Sequence, residues 1–320
     1  MDIVLNIILL VVGFVVLIKG ADVFVDGASS VAGRFKISKT LIGLTIVAFG
    51  TSAPELAVSI SSIIEGHGDI VVGNVIGSNI LNILLIIGLS SMFHFLSVKN
   101  ETVQKELPIA ALVTVAFTVL MCDNLFTGTE NAFTRSDGIV ILLFFAVFVY
   151  YLIRMSRHKT DEKVDVEQYM GMKKAVLFTV LGIAGIVIGS ELVVNGASGV
   201  ASGMGVSDRL VALTVVALGT SLPELVTSVT ATRKGEYEIA IGNVVGSNIF
   251  NIGMVLGLPT ALFGTIPNIT FNYIDIIVML ISAVLLFIFA KNDRKITKGE
   301  GVILLVIFVA YYTYVIISGI

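Results

Sequence analysis

The sequence predicts an all-α polytopic membrane protein, with ten transmembrane helices arranged as two inverted five-helix repeats. Three observations carry this. Of 320 residues, 56% are hydrophobic and only 13% charged, with a mean hydropathy of +1.00. A soluble protein carries about 25% charged residues, and a chain of this size has too little interior to hide so much apolar surface from water. The apolar residues also fall in runs that match the roughly 20 residues needed to cross a bilayer. Finally, the second half repeats the first at a fixed offset of 169 residues. A formal net charge of −3 with no basic segment argues against nucleic-acid binding, which needs a clustered positive field. The single Cys122 admits no internal disulfide and has no metal-ligand spacing around it.

Ten apolar segments run over 3–32, 40–64, 70–96, 107–122, 138–155, 173–202, 209–232, 238–263, 271–290 and 300–318. They are too long for barrel strands and lack the alternation of such strands. The first has no positive leading region and no small-residue cleavage site, so it reads as a retained helix and not a signal peptide. Residues 1–155 form the first five-helix repeat, 156–172 a short solvated linker of mixed charge, and 173–320 the second repeat. Sorting the Lys and Arg residues by alternate loops places 17 on one side and two, Arg135 and Arg209, on the other, with Lys19 inside the first span. That bias predicts a multi-pass plasma-membrane protein with the linker in the cytoplasm and both termini outside.

The internal repeat is gapless. Residues 20–59 and 189–228 share 20 identities in 40, and GNVIGSNILNI at 73–83 matches GNVVGSNIFNI at 242–252. A repeat this strong indicates one unit duplicated. Each copy holds an odd number of spans, so the two must sit in opposite orientations. This is the plan of secondary transporters, whose substrate sites lie near the midplane where the halves meet.

The best-matched pieces are also the most polar parts of the spans. Pro54 and Pro223 fall inside the second and seventh spans. Each removes a donor and crowds the carbonyl four residues back, here that of Gly50 or Gly219. Gly-Thr-Ser-x-Pro therefore predicts a broken helix with freed backbone oxygens, tolerated at membrane depth only where it lines a cavity or is covered by protein. Each break is followed by a carboxylate, Glu55 or Glu224, and an intramembrane Glu marks a functional site by default. In the third and eighth spans Gly77-Ser78-Asn79 with Asn82 recurs as Gly246-Ser247-Asn248 with Asn251. Residues three and four apart share a helical face. The glycines read as close-packing positions between helices, and Ser78, Asn82, Ser247 and Asn251 as site groups. The first and sixth spans carry Asp22 and Asp26, matched by Glu191 and Asn195. The spacing of the two Asp from Lys19 admits a buried ion pair or a position near the outer interface, or a role of Asp22 and Glu191 in ion access.

Gathered together, these groups make an all-oxygen site: two carboxylates, the hydroxyls of Thr51, Ser52, Thr220, Ser221, Ser78 and Ser247, the amide oxygens of Asn82 and Asn251, and freed carbonyls. The three His residues, His67, His94 and His158, lie at span ends or in loops. Oxygen-only ligation selects hard cations, and a deep, dry, flexible cage favours Ca²⁺ over Mg²⁺, which sheds water reluctantly. Two Glu balance one Ca²⁺, and emptying the cage leaves two bare carboxylates in low dielectric. Another cation, several Na⁺ or protons on the Glu, must replace the Ca²⁺ before the site reorients, which points to an exchanger. A channel or a receptor gains nothing from antiparallel halves. No buried nucleophile–base pair or H-E-x-x-H motif supports an enzyme.

At these residues the chain resembles the sodium/calcium exchanger branch of the cation/calcium antiporter superfamily. The paired alpha-repeats are G-T-S-A-P-E (50–55) and G-T-S-L-P-E (219–224), each followed by G-N-V-[IV]-G-S-N. The resemblance implies a central cation site of Glu55, Thr51, Ser52, Ser78, Asn82 with Glu224, Thr220, Ser221, Ser247, Asn251, and backbone carbonyls near Ala48 and Ala217. It implies antiport of Ca²⁺ against several Na⁺ by alternating access, with the first and sixth helices sliding past the rest. No cofactor is expected beyond the transported ions, and the chain is expected to work as a monomer. The potassium-dependent branch carries Asp where this chain has Asn251. The proton/calcium branch shows G-N-x-x-E around its Glu where this chain has T-S-x-P-E. An H⁺/Ca²⁺ or K⁺-dependent Na⁺/Ca²⁺ antiporter using the same site is the alternative.

Overall fold

The computed structural model describes residues 3–128, 130–157, 169–204, 217–267, 269 and 271–318, and nearly all of them are helical. The first half contains α1 (Ile3–Phe35), α2 (Lys39–Thr51), α3 (Ala53–Ile64), α4 (Gly68–Phe93), α5 (Thr102–Met121) and α6 (Arg135–Arg157). The second contains α7 (Met172–Gly203), α8 (Ala217–Thr220), α9 (Leu222–Arg233), α10 (Tyr237–Phe263), α11 (Tyr273–Lys291) and α12 (Lys298–Ser318). Residues 209–216 of the seventh expected span and 158–168 of the linker lie outside the described residues. The fourth span begins at Thr102 instead of 107. Its first turn, Thr102–Glu106, is π-helical, and the buried Glu106 accepts a hydrogen bond from the Tyr151 hydroxyl. Polar residues paired in this way escape an apolar count.

The expected helix breaks are present in both halves. Ser52 (φ −86°, ψ 6°) separates α2 from α3, and Ser221 (φ −89°, ψ 3°) separates α8 from α9. Both sit in the sparsely populated bridge region. Pro54 and Pro223 follow in the first turn of the next helix, where a missing N–H costs nothing. The chain bends by 45° between α2 and α3.

Burial sorts the helices into layers. The central windows of α4 and α10 are 72% and 89% buried, against 11–33% for the other long spans. The two helices that carry the G-N-V-x-G-S-N motifs are therefore the core, and the rest turn broad apolar faces outward, as lipid contact requires. Val71, Val75, Leu84 and Ile87 of α4 pack with Val244, Ile252 and Leu256 of α10 in one hydrophobic cluster. A second cluster gathers Leu17, Phe24 and Ala28 of α1 with Ile186 and Val193 of α7.

α1 and α7 run antiparallel and in contact along their length. Glycines permit this approach. A Cβ placed on Gly20 would lie 2.7 Å from the Gly185 carbonyl carbon, and one on Gly189 2.4 Å from the Leu17 nitrogen. Small residues let helix backbones meet where no hydrophobic effect drives them together.

The loops sort to the two ends as the charges predict. At one end the Lys39 Nζ lies 2.6 Å from Glu236, Lys99 lies 3.0 Å from Glu238, and Leu96–Ser97 pairs antiparallel with Lys295–Ile296. Asp22 and Asp26 are here too. Lys234 reaches Asp26 at 2.7 Å and Asp22 at 3.6 Å, so their partner comes from the α9–α10 loop and not from Lys19 of their own helix. At the opposite end Phe133 bridges to Ile266, the repeat-related image of the Leu96–Ser97 pairing. α1 packs extensively on α9, whereas among the described residues α7 makes no comparable contact with α3.

Gly20→Val is expected to force α1 off α7, at a cost of about 1–3 kcal/mol for overpacking. The measurement is the thermal unfolding midpoint in detergent, with Gly66→Val in an open turn as the strained-backbone comparison.

Candidate cation site

The broken helices bring side chains of one half against side chains of the other. Ser52, at the α2–α3 break, donates to Glu224 Oε1 of α9 at 2.9 Å and lies 3.1 Å from Ser247 Oγ of α10. Ser221, at the α8–α9 break, lies 3.3 Å from Ser78 Oγ of α4. Thr51 Oγ1 donates to Asn243 Oδ1 at 3.1 Å and to the Ala48 carbonyl at 3.4 Å. Glu55 and Glu224 are each 1% exposed and close enough for their charges to interact.

Asn82 and Asn251 meet across the same interface. Asn82 Nδ2 donates to Asn248 Oδ1 at 2.9 Å, and Asn251 Nδ2 to Asn79 Oδ1 at 3.1 Å. Each of the two is the first residue of a π-helical segment, Asn82–Ile87 and Asn251–Gly257. A π turn inserts one extra residue and re-aims the side chains that follow, a device common at functional sites.

Among the sequence-predicted residues, direct contacts join Ser52 with Glu224 and Ser247, and Ser221 with Ser78, and three points of detail stand out. Thr220 is only partly buried. Ala217 opens α8. The Ala48 carbonyl accepts the Ser52 N–H at 3.0 Å in addition to Thr51. Of the carbonyls freed by the prolines, that of Gly219 accepts Ser190 Oγ of α7 at 3.0 Å.

Sequence reasoning left out Asn243, Ser228, Ser190, Asn79 and Asn248. Asn243 Nδ2 donates to Ser228 Oγ at 2.9 Å and to the Glu224 carbonyl at 3.4 Å, so it holds Thr51 and the α9 backbone together. Its signal was present: the Asn of G-N-V recurs at Asn74 and Asn243.

What remains is a set of buried oxygens without a hydrogen-bond partner among the described residues: both of Glu55, Oε2 of Glu224, and Oδ1 of Asn82 and Asn251. An unpaired buried carboxylate or amide oxygen is costly, and such groups call for an explanation. These are hard donors, three from the first half and two from the second, with no His or Cys. Among the described residues no cluster of three or more His, Cys, Asp or Glu exists, which leaves two carboxylates as the charge of the site. The arrangement is suited to holding a hard cation.

Comparison with known proteins agrees with this geometry. The family described as sodium/calcium exchanger protein matches residues 5–154 and 174–317. The sodium/calcium exchanger MaX1 of Methanosarcina acetivorans is 32% identical over 340 aligned positions, covering 96% of this chain and 97% of that one. The inner membrane protein YrbG of Escherichia coli K12 is 34% identical over 306, covering 92% of each. The solved structure of the sodium-calcium exchanger NCX_Mj soaked with 10 mM Na⁺ and 10 mM Sr²⁺ superposes with a TM-score of 0.85 at 30% identity, covering 98% of this chain and 99% of that one. Ten helices in two inverted repeats, a shared interface of paired motifs and matches along both halves lead to one conclusion: the chain belongs to the sodium/calcium exchanger family.

Proposed function

We propose that the chain is a carrier, not an enzyme, that exchanges Ca²⁺ for Na⁺ across the plasma membrane by alternating access, with both ions using the oxygen cage. The observation that carries this is the unpartnered buried oxygen set of Glu55, Glu224, Asn82 and Asn251, drawn from both repeats and holding two carboxylates. One Ca²⁺ neutralises it. Na⁺ ions can do the same in its place, and the cost of baring both carboxylates disfavours reorientation of an empty site. Family membership and the MaX1 and NCX_Mj likenesses support Na⁺ as the exchanged ion. The alternating step is supported by the long glycine-lined contact of α1 with α7. The excess of Lys and Arg in the loops at one end supports a cytoplasmic position for that end, with both termini outside. Because both halves of the cage come from one chain, a monomer suffices.

The test is Ca²⁺ uptake into proteoliposomes under an imposed Na⁺ gradient, compared with an imposed pH gradient and with added K⁺. Uptake is expected with the Na⁺ gradient alone; uptake that follows only the pH gradient would assign the coupling to protons. Glu55→Gln and Glu224→Gln are each expected to weaken cation binding by about 2–5 kcal/mol, the usual cost of deleting one member of a buried charge pair. Both should bring flux close to background, and normal flux in either would remove that carboxylate from the site. Asn251→Asp is expected to fold normally but to change the half-saturating concentration of Na⁺ or Ca²⁺; unchanged values for both ions would exclude Asn251 as a ligand.

A further inference from the structure

Four amides cross the interface between α4 and α10 in a closed pattern that maps onto itself under the 169-residue offset. Asn79 Nδ2 lies 3.4 Å from the Asn248 carbonyl oxygen, and Asn248 Nδ2 lies 3.4 Å from the Asn79 carbonyl oxygen. Asn248 Oδ1 then accepts Asn82 Nδ2 at 2.9 Å, and Asn79 Oδ1 accepts Asn251 Nδ2 at 3.1 Å. All four residues are at most 6% exposed.

The two ends of an Asn amide are nearly the same size, but one end only donates and the other only accepts. What sets their direction here is backbone. A main-chain carbonyl can only accept, so the end of Asn248 that faces the Asn79 carbonyl must be its nitrogen. Its oxygen is then committed to Asn82, which must answer with its own nitrogen. The Asn82 oxygen is left on the far side, where it has no partner among the described residues. The same chain of constraint, begun at the Asn248 carbonyl, leaves the Asn251 oxygen unpartnered. Turned the other way, either amide would present N–H groups to a cation.

We propose that Asn79 and Asn248 are positioning residues: they fix the oxygen ends of the Asn251 and Asn82 amides toward the transported cation without touching it. This rests on the cage proposed above. It assigns the Asn of each G-S-N a task distinct from helix packing, and it explains why the contact is made between halves. The oxygen of one repeat's ligand is aimed by the other repeat, so neither half can turn its ligand away alone.

The experiment measures Ca²⁺ binding to the purified full-length chain in detergent by calorimetric titration. Asn248→Ala frees the Asn82 amide to rotate, and the Ca²⁺ dissociation constant is expected to rise by about 10–100-fold, the usual cost of losing a group that orients a metal ligand. In the Asn82→Asp background the same Asn248→Ala change is expected to cost less than about threefold, because a carboxylate shows an oxygen whichever way it turns. A purely structural role for Asn248 would give equal losses in both backgrounds, and that result overturns the proposal, as does no loss in the first background. Asn82→Ala separates this from the underlying reading: unchanged Ca²⁺ binding there removes Asn82 from the cage itself, whereas weakened binding with Asn248→Ala silent defeats only the positioning role. If Asn248→Ala does not yield folded protein, the mirror pair, Asn79→Ala with and without Asn251→Asp, reads out the same coupling.

Discussion

Two carboxylates at membrane depth set the terms for the rest of this molecule. A charged group deep in a low-dielectric interior is expensive unless it is paired and hydrogen-bonded, and Glu55 and Glu224 are both almost wholly buried. Ser52 meets one oxygen of Glu224, and the other three carboxylate oxygens have no partner among the described residues. No Lys or Arg forms an ion pair with either Glu among the described residues. In the cycle proposed above, that charge is met by a mobile cation. The broken helices exist to deliver it: a continuous helix would bury the Ser hydroxyls against its own backbone, whereas the break at Ser52 and Ser221 releases them to the opposite half.

The surrounding packing follows from this. The helices that carry the amides must be rigid and dry, and α4 and α10 are accordingly the most buried spans. Their partners cross between repeats at nearly every polar contact: Ser52 with Ser247, Ser221 with Ser78, Thr51 with Asn243, and the Asn pairs. The second hydrophobic cluster is built on α1 and α7 and takes in Ile239 and Ala240 of α10. A stiff core beside a pair of helices with glycine-lined backbones is a construction in which one part can shift while the other keeps its geometry.

Much of this was legible in the sequence because duplication makes it so. Glu55 stands out from a background of apolar residues, and its recurrence at Glu224 beside the same proline separates it from a chance polar residue. The helix breaks followed from proline chemistry alone. What the sequence withheld depends on register between helices. The π turns at Asn82 and Asn251 have no local signature, since every residue in them suits an α-helix. Lys19 is the nearest cation to Asp22 along the chain, yet Lys234 is the one that arrives, because the α9–α10 loop folds over the end of α1. Asn79 and Asn248 have no assigned role in the sequence for the same reason: only their position opposite another amide gives them direction.

Lys234 carries a last consequence. Shifted by 169 residues, its place is taken by Glu65, while Asp22 and Asp26 become Glu191 and Asn195, and Glu236 becomes His67. The fold is nearly symmetric about the membrane plane, but its electrostatics are not. In the cycle proposed above, closing one face joins a cation to two carboxylates, and closing the other brings two carboxylates together. Partly exposed pairs of this kind are worth only about 0–1 kcal/mol each, yet 1 kcal/mol already moves a two-state population about fivefold. In that cycle the two faces form a rectified mirror: one resting orientation is favoured by charge alone, before either ion gradient is applied, and salt weakens the preference by screening it.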